Sequence, residues 1–166
     1  EIAGQDAVLA DFRAIRDHHL AASAYWIDRP YATALQTFDF AATYPDPAAM
    51  FAAAREAGLR MALWHTPYVT RDAADTYASA IDGGFFPPEQ GLELNNFGSP
   101  PLDLTNPAAV AWWQDALVAY RALGVEGFKL DFAEDVVAGL PGPRSNRWRF
   151  ADGRDERTMQ HAYPAL

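Results

Sequence analysis

Two stretches of this chain are built alike. Asp46-Pro47 and Asn106-Pro107 each precede a run of helically spaced apolar residues, then a glycine, then a short apolar segment. An Asp or Asn before a helix accepts from free backbone N–H groups, and proline is already set for the first helical position. Gly58 and Gly124 supply the left-handed stops. The spacing therefore predicts a helix from Pro47 to Gly58 followed by a strand over Leu59–Trp64, and a helix from Pro107 to Gly124 followed by a strand over Val125–Leu130. Upstream, Val8, Leu9, Phe12 and Ile15 recur at helical spacing within Gln5–His18, and within Ala21–Asp28 the residues Ala24, Tyr25, Trp26 and Ile27 are expected to form a short buried strand. The order is helix, strand, helix, strand, helix, strand.

Such alternation calls for a parallel sheet covered by helices, hence an α/β class. An open doubly wound sheet and a closed barrel both satisfy it. No glycine-rich phosphate loop follows any of the strands, which removes the sequence support for a nucleotide fold. The strand ends favour the barrel: they fall at Asp28, Trp64 and Asp131, and a (β/α)8 barrel gathers such ends at one mouth. A whole barrel takes about 250 residues, so a chain of 166 with three legible strands is a partial one, with about five strands missing or unreadable. Between them, Thr70–Leu102 is a long connection with a short helix expected at Asp72–Ile81, and a lid or subsite wall is one use for it. Gly139–Arg154 is also loop-like, before a last helical stretch to Leu166.

Composition narrows the function. A net charge of −9 with no Lys/Arg stripe disfavours nucleic acid and anionic membranes as partners. A neutral or small substrate suits it better. The absence of cysteine excludes disulfides, thiolate nucleophiles and cysteine metal sites. No stretch reaches the roughly 18 apolar residues of a membrane span. His18-His19, His65 and His161 lack the ligand spacing of metalloproteases, so no metal and no cofactor are expected. The chain opens on Glu1 rather than Met, from which an upstream segment is expected. Compartment and oligomeric state, a homo-oligomer included, are left open.

The segment with most chemistry in it is Gly127-Phe128-Lys129-Leu130-Asp131-Phe132-Ala133-Glu134-Asp135. Alternation along a strand puts Lys129 and Asp131 on one face, and a cation beside a carboxylate favours the ionised form that an attacking group needs. A structural ion pair at a strand end fits the same spacing.

Phe128-Lys129-Leu130-Asp131-Phe132-Ala133-Glu134 resembles the strand-four motif of glycoside hydrolase family 31, which surrounds the nucleophile. Three more phrases stand in that family's order. Trp26-Ile27-Asp28 with Arg29-Pro30-Tyr31 resembles the second strand and its loop. Tyr44-Pro45-Asp46-Pro47, Met50, Gly58 and Leu63-Trp64-His65-Thr66-Pro67-Tyr68-Val69 resemble the next helix and third strand. Leu102-Asp103-Leu104-Thr105-Asn106-Pro107 with Trp112-Trp113 resembles the opening of the helix before strand four. The match covers nearly the whole chain. It implies that residues 1–166 are a fragment of a single catalytic (β/α)8 barrel, roughly strands two to four with their helices.

The resemblance also implies cleavage of an α-linked glycoside, of the α-glucosidase or α-xylosidase type, by a retaining double displacement. Asp131 would be the catalytic nucleophile, and the acid/base carboxyl would lie beyond Leu166, so the isolated chain is expected to be inactive. Substrate contacts are expected from Asp28, which would accept from sugar hydroxyls, from Trp64 as an apolar wall, and from Arg29 and Lys129. Core packing for Trp64 and an Arg29–Asp28 ion pair are the structural alternatives. Glu134 and Asp135 read as loop-fixing or solvated groups, and Asp152, Asp155 and Glu156 as surface. Ala133, where the family has Gly or Asn, and the order of residues at Gln160-His161-Ala162-Tyr163-Pro164 depart from its pattern. A related α-galactosidase-type hydrolase, a non-catalytic sugar-binding fragment, and a barrel lyase using Lys129 as an amine are the competing readings; an adjacent carboxylate opposes the last by stabilising the ammonium.

Overall fold

The computed structural model describes residues 4–87, 99–133, 149–155, 158–159 and 162–166. Residues 88–98 of the expected lid region and 139–148 of the arginine-rich loop lie outside these. The elements are helix α1 (Gln5–Asp17), strand β1 (Ala24–Ile27), α2 (Pro47–Glu56), β2 (Arg60–His65), α3 (Ala74–Asp82), α4 (Pro107–Leu123) and β3 (Gly127–Leu130), with a 3-10 turn at Tyr163–Ala165. The strands form one sheet in the order β1-β2-β3. Strands β1 and β2 run parallel, with Ala24 level with Arg60 and Ile27 with Leu63. Three parallel strands form part of a barrel and do not close one.

The chain forms two compact units. The first comprises Glu1–Thr33, Phe38–His65 and Ala116–Lys129. Its core is built by alternation: Ile27 from β1 and Met61 and Leu63 from β2 turn to the helices, where Val8 and Phe12 of α1, Met50, Phe51 and Ala54 of α2 and Tyr120 of α4 meet them. The amphipathic spacing of α1 thus buries the face expected from sequence. Helix α2 begins as its Asx-Pro start dictates, with Asp46 Oδ1 accepting from Ala49 N at 2.9 Å. Gln5 ties the two helices together, its N donating to Thr43 O and its Oε1 accepting from Asp46 N, both at 2.9 Å. At the end of α4 the backbone favours glycine: Gly124 has φ +112°, a conformation that residues with a side chain rarely adopt.

The second unit comprises Ala34–Thr37, Thr66–Asp115 and Leu130–Leu166. Among the described residues, one apolar cluster in it joins Tyr68, Phe150, Met159 and Tyr163, with Leu104, Phe132, Ala133 and Ala162 against them. Polar staples add to this. Asp103, 1% exposed, accepts from Thr105 N (3.0 Å) and Thr105 Oγ1 (2.6 Å) on one oxygen, and from Ala151 N (2.6 Å) on the other. Tyr163 Oη donates to Leu102 O at 2.6 Å, and Leu102 N donates to Pro67 O at 2.9 Å. Ser99 Oγ donates to Val69 O and Gln36 Nε2 to Thr66 O. The adjacent Trp112 and Trp113 face apart: Trp113 is buried, whereas Trp112 donates from Nε1 to Ser79 Oγ at 3.2 Å and packs on Phe85.

Candidate functional site

In the first unit the parallel register levels Ile27 with Leu63, so the following residues, Asp28 and Trp64, come level at the C-terminal edge of the sheet. Lys129, on β3 at the far side of β2, reaches the same edge. Its Nζ donates to Asp28 Oδ2 at 3.1 Å, an ion pair between residues 101 apart in sequence. Both side chains are nearly half exposed, so the pair contributes under about 1 kcal/mol and serves chiefly to orient the carboxylate. The other oxygen, Oδ1, accepts from Arg29 N at 2.9 Å. The Arg29 guanidinium itself lies over the Trp64 ring, 5.4 Å from its centroid, a cation–π contact. Trp64 is 3% exposed. Sequence reasoning left Arg29 between an ion pair with Asp28 and the substrate; the structure gives Asp28 the Lys129 ammonium and sets the guanidinium on Trp64. Four residues proposed for substrate binding, Asp28, Arg29, Trp64 and Lys129, are therefore one contiguous cluster.

Asp131 is the first residue after β3 and belongs to the second unit. Its Oδ1 accepts from Phe132 N at 3.1 Å. Phe132 has φ +64°, a left-handed conformation that a bulky aromatic seldom adopts. Its side chain packs against Tyr68, Phe150, Met159 and Tyr163. Packing of this kind is what holds a residue in a sparsely populated backbone region, and such residues concentrate at functional sites.

Two residues next to the cluster carried no role in the sequence reading. Tyr31, 4% exposed, lies at the start of the aromatic loop after Asp28, and its hydroxyl donates to Trp64 O at 3.0 Å. His65 Nε2 lies 3.1 Å from the same hydroxyl. His65 is 2% exposed among Tyr31, Phe38, Tyr120 and Phe128, and burial pushes its pKa down to about 4. The signal for Tyr31 was the density of aromatics over Arg29–Tyr44. Nothing local says which of them turns inward.

Of the acidic residues that the sequence placed at the surface, Asp152 and Asp155 have structural partners. Asp152 binds Arg154 at 2.6 Å, and that guanidinium holds its carboxyl below the usual range. Asp155 Oδ1 accepts from Thr158 N at 2.9 Å and Thr158 Oγ1 at 2.8 Å. Glu134, Asp135, Glu156 and His161 lie outside the described residues.

With this geometry in place, likeness to known proteins becomes specific. Residues 2–166 match the model of the glycosyl hydrolases family 31 TIM-barrel domain. An α-xylosidase of Emericella nidulans is 30% identical over 158 residues, covering 91% of this chain and 19% of its own length. The α-xylosidase XylQ of Lactiplantibacillus pentosus is 26% identical over 170 residues, covering 98% and 21%. Among solved structures, a family 31 dextranase of Flavobacterium johnsoniae, complexed with glucose, superposes with a TM-score of 0.87 at 17% identity, over 99% of this chain and 21% of that one. A family 31 α-xylosidase from a soil metagenome, complexed with xylose, superposes at 0.83 and 22% identity, over 99% and 24%. The chain spans about a fifth of the length of the curated relatives it matches. Its strand order, its Asx-Pro helices and a match from end to end agree: the chain belongs to glycoside hydrolase family 31 and is part of that family's TIM-barrel domain.

Proposed function

We propose that the protein carrying this chain hydrolyses α-linked O-glycosidic bonds, as a retaining enzyme of the α-xylosidase or α-glucosidase type, with Asp131 as nucleophile. The observation that carries the reading is the place of Asp131. It follows the last residue of β3 directly, as Asp28 follows the last residue of β1, and active sites of (β/α)8 barrels are built from residues at this end of their strands. The names of the two matched relatives favour the xyloside.

In the first step an Asp131 carboxylate oxygen attacks the anomeric carbon. The bond to the leaving oxygen breaks as a second carboxyl, which we place beyond Leu166, gives that oxygen a proton. In the second step the same group, now a carboxylate, takes a proton from water as the water attacks the anomeric carbon and releases Asp131. The two carboxyl groups of such a pair stand about 5 to 5.5 Å apart. Asp28 would accept from sugar hydroxyls while Lys129 keeps it oriented. Trp64 would back the same wall, and Arg29, lying over its ring, would meet the sugar.

The test is the intact mass of the full-length protein after incubation with α-configured mechanism-based labels of xylose, glucose and galactose. One adduct, absent from the Asp131→Ala variant, is the expected result, and the productive label names the sugar. A galactose adduct alone would move the assignment to the α-galactosidase type. No adduct with any label on folded protein would sink the hydrolase reading in favour of a non-catalytic sugar-binding protein.

A further inference from the structure

We propose that Tyr31 and His65 are positioning residues, a two-residue clamp that holds the Asp28–Trp64 substrate wall in place. The inference rests on the sugar-binding role given above to Asp28 and Trp64. Tyr31 stands three residues after Asp28, and Ala41 N donates to its carbonyl at 2.8 Å, so the loop leaving β1 turns back on itself at this point. Its hydroxyl then crosses to β2, 33 residues further on, and bonds the backbone carbonyl of Trp64. One contact thus fixes the spacing between the loop that bears Asp28 and Arg29 and the strand residue whose ring Arg29 covers.

Proton counting assigns the role of His65. A phenol has a single proton, and the Trp64 carbonyl can only accept. With the Tyr31 proton directed to Trp64 O at 3.0 Å, the contact of 3.1 Å to His65 Nε2 requires the imidazole to be the donor. His65 is therefore the neutral tautomer protonated on Nε2, which its apolar enclosure by Phe38, Tyr120 and Phe128 favours over the charged form. The relay runs from His65 Nε2–H to Tyr31 Oη and from Tyr31 Oη–H to Trp64 O. It is closed on the far side by Tyr120, packed edge-on to Tyr31, whose own hydroxyl donates to Asp39 O at 2.9 Å. Buried polar groups bonded in this way rigidify the geometry around them.

The clamp touches no substrate, so its loss should weaken sugar binding while leaving the chemical step largely intact. In the full-length protein, Tyr31→Phe keeps the ring and removes the hydroxyl. It should raise KM for the productive α-glycoside roughly five- to tenfold, the equivalent of one buried hydrogen bond, with kcat within about twofold. His65→Leu should do the same. His65→Gln, which retains an N–H donor at a similar reach, should return KM toward the parent value, and the Tyr31→Phe/His65→Leu double variant should be no worse than either single change. A purely structural role would lower the melting temperature and leave KM unmoved at temperatures where the variant is folded. An active parent whose folded Tyr31→Phe variant keeps its KM, or whose His65→Gln variant behaves like His65→Leu, would overturn the clamp alone. A parent inert toward every α-glycoside would overturn the functional reading and the clamp with it.

Discussion

Around Phe51 and Tyr120 the first unit packs ring against ring: Phe40 meets Phe51, Tyr44 and Tyr120 at centroid distances of 5.5 to 5.9 Å, while Ile27, Met50, Met61 and Leu63 fill the space toward the sheet. Among the described residues of the second unit, the contacts that stand out are side chains bonded to the backbone of distant segments: Asp103 to Ala151, Tyr163 to Leu102, Gln36 to Thr66, Ser99 to Val69. The proposed substrate wall stands in the first kind of environment and the proposed nucleophile in the second. Apolar packing is forgiving of small shifts and costly to empty. A side chain bonded to one backbone amide allows little shift, and removing it frees a whole segment.

Emptying the first core should therefore give the largest effect. Phe51 is fully buried, and Phe51→Ala is expected to cost about 4 kcal/mol through lost transfer energy and the cavity left behind. Hydrogen exchange of the full-length protein should report this as lost protection across β1, β2 and α2. Loss confined to α2 would mean that the first unit is not one cooperative body.

Acid should act next, and on the same unit. Burial favours neutral His65, so its folded pKa of about 4 lies below the ordinary 6.5. As pH falls below about 6.5 the unfolded chain takes up a proton that the folded chain refuses, and stability declines until pH reaches about 4. The whole interval is worth about 3 kcal/mol. Protection of β2 should fall over that window in the parent and stay flatter in His65→Leu. Parallel curves would mean that His65 does not govern the acid response of this core.

In the second unit the matching experiment is Asp103→Ala. It leaves Ala151 N and the Thr105 N–H and hydroxyl without their acceptor, an expected cost of about 2 kcal/mol. Exchange should rise at 102–106 and 149–155 together, since one side chain holds both. Independent behaviour of the two segments would show that the staple does not couple them.

This contrast also explains what the sequence made legible. The helices of the first unit and the repeated Asx-Pro starts follow from spacing and capping, which are local properties, and their limits came out within a residue or two; β1 falls on Ala24–Ile27 as expected, although Trp26 in it is exposed rather than buried. The partial barrel and the family followed from motifs lying in order along the chain. The pairing of Lys129 with Asp28, the reach of Tyr31 to the Trp64 carbonyl and the Asp103 staple did not. Each joins residues more than thirty positions apart through a polar side chain that carries no periodicity. Asp103 in particular was read only as part of a phrase opening a helix, because an Asp before Thr and Asn-Pro fits a turn wherever its second oxygen points.

The smallest effects sit at the two helix starts that look identical in sequence. Asp46 Oδ1 accepts from Ala49 N at 2.9 Å, and Asn106 Oδ1 accepts from Ala108 N at 3.0 Å. Replacing either by Ala should cost about 1 kcal/mol. The two differ in what the rest of the side chain does. Asp46 adds a charge at the helix N-terminus, so Asp46→Asn should lose only a few tenths of a kcal/mol, and salt should erase that difference by screening. Asn106 uses its Nδ2 to donate to Gly84 O at 3.3 Å, which ties the start of α4 to the end of α3. Asn106→Asp keeps the cap, gains the favourable charge, and sets a carboxylate against a carbonyl. Its net effect should be a loss of about 0.5 kcal/mol, seen as faster exchange at the C-terminal end of α3 rather than within α4. If the substitution instead stabilises α3, the Gly84 contact contributes nothing, and the two helix starts are equivalent in the fold as they are in the sequence.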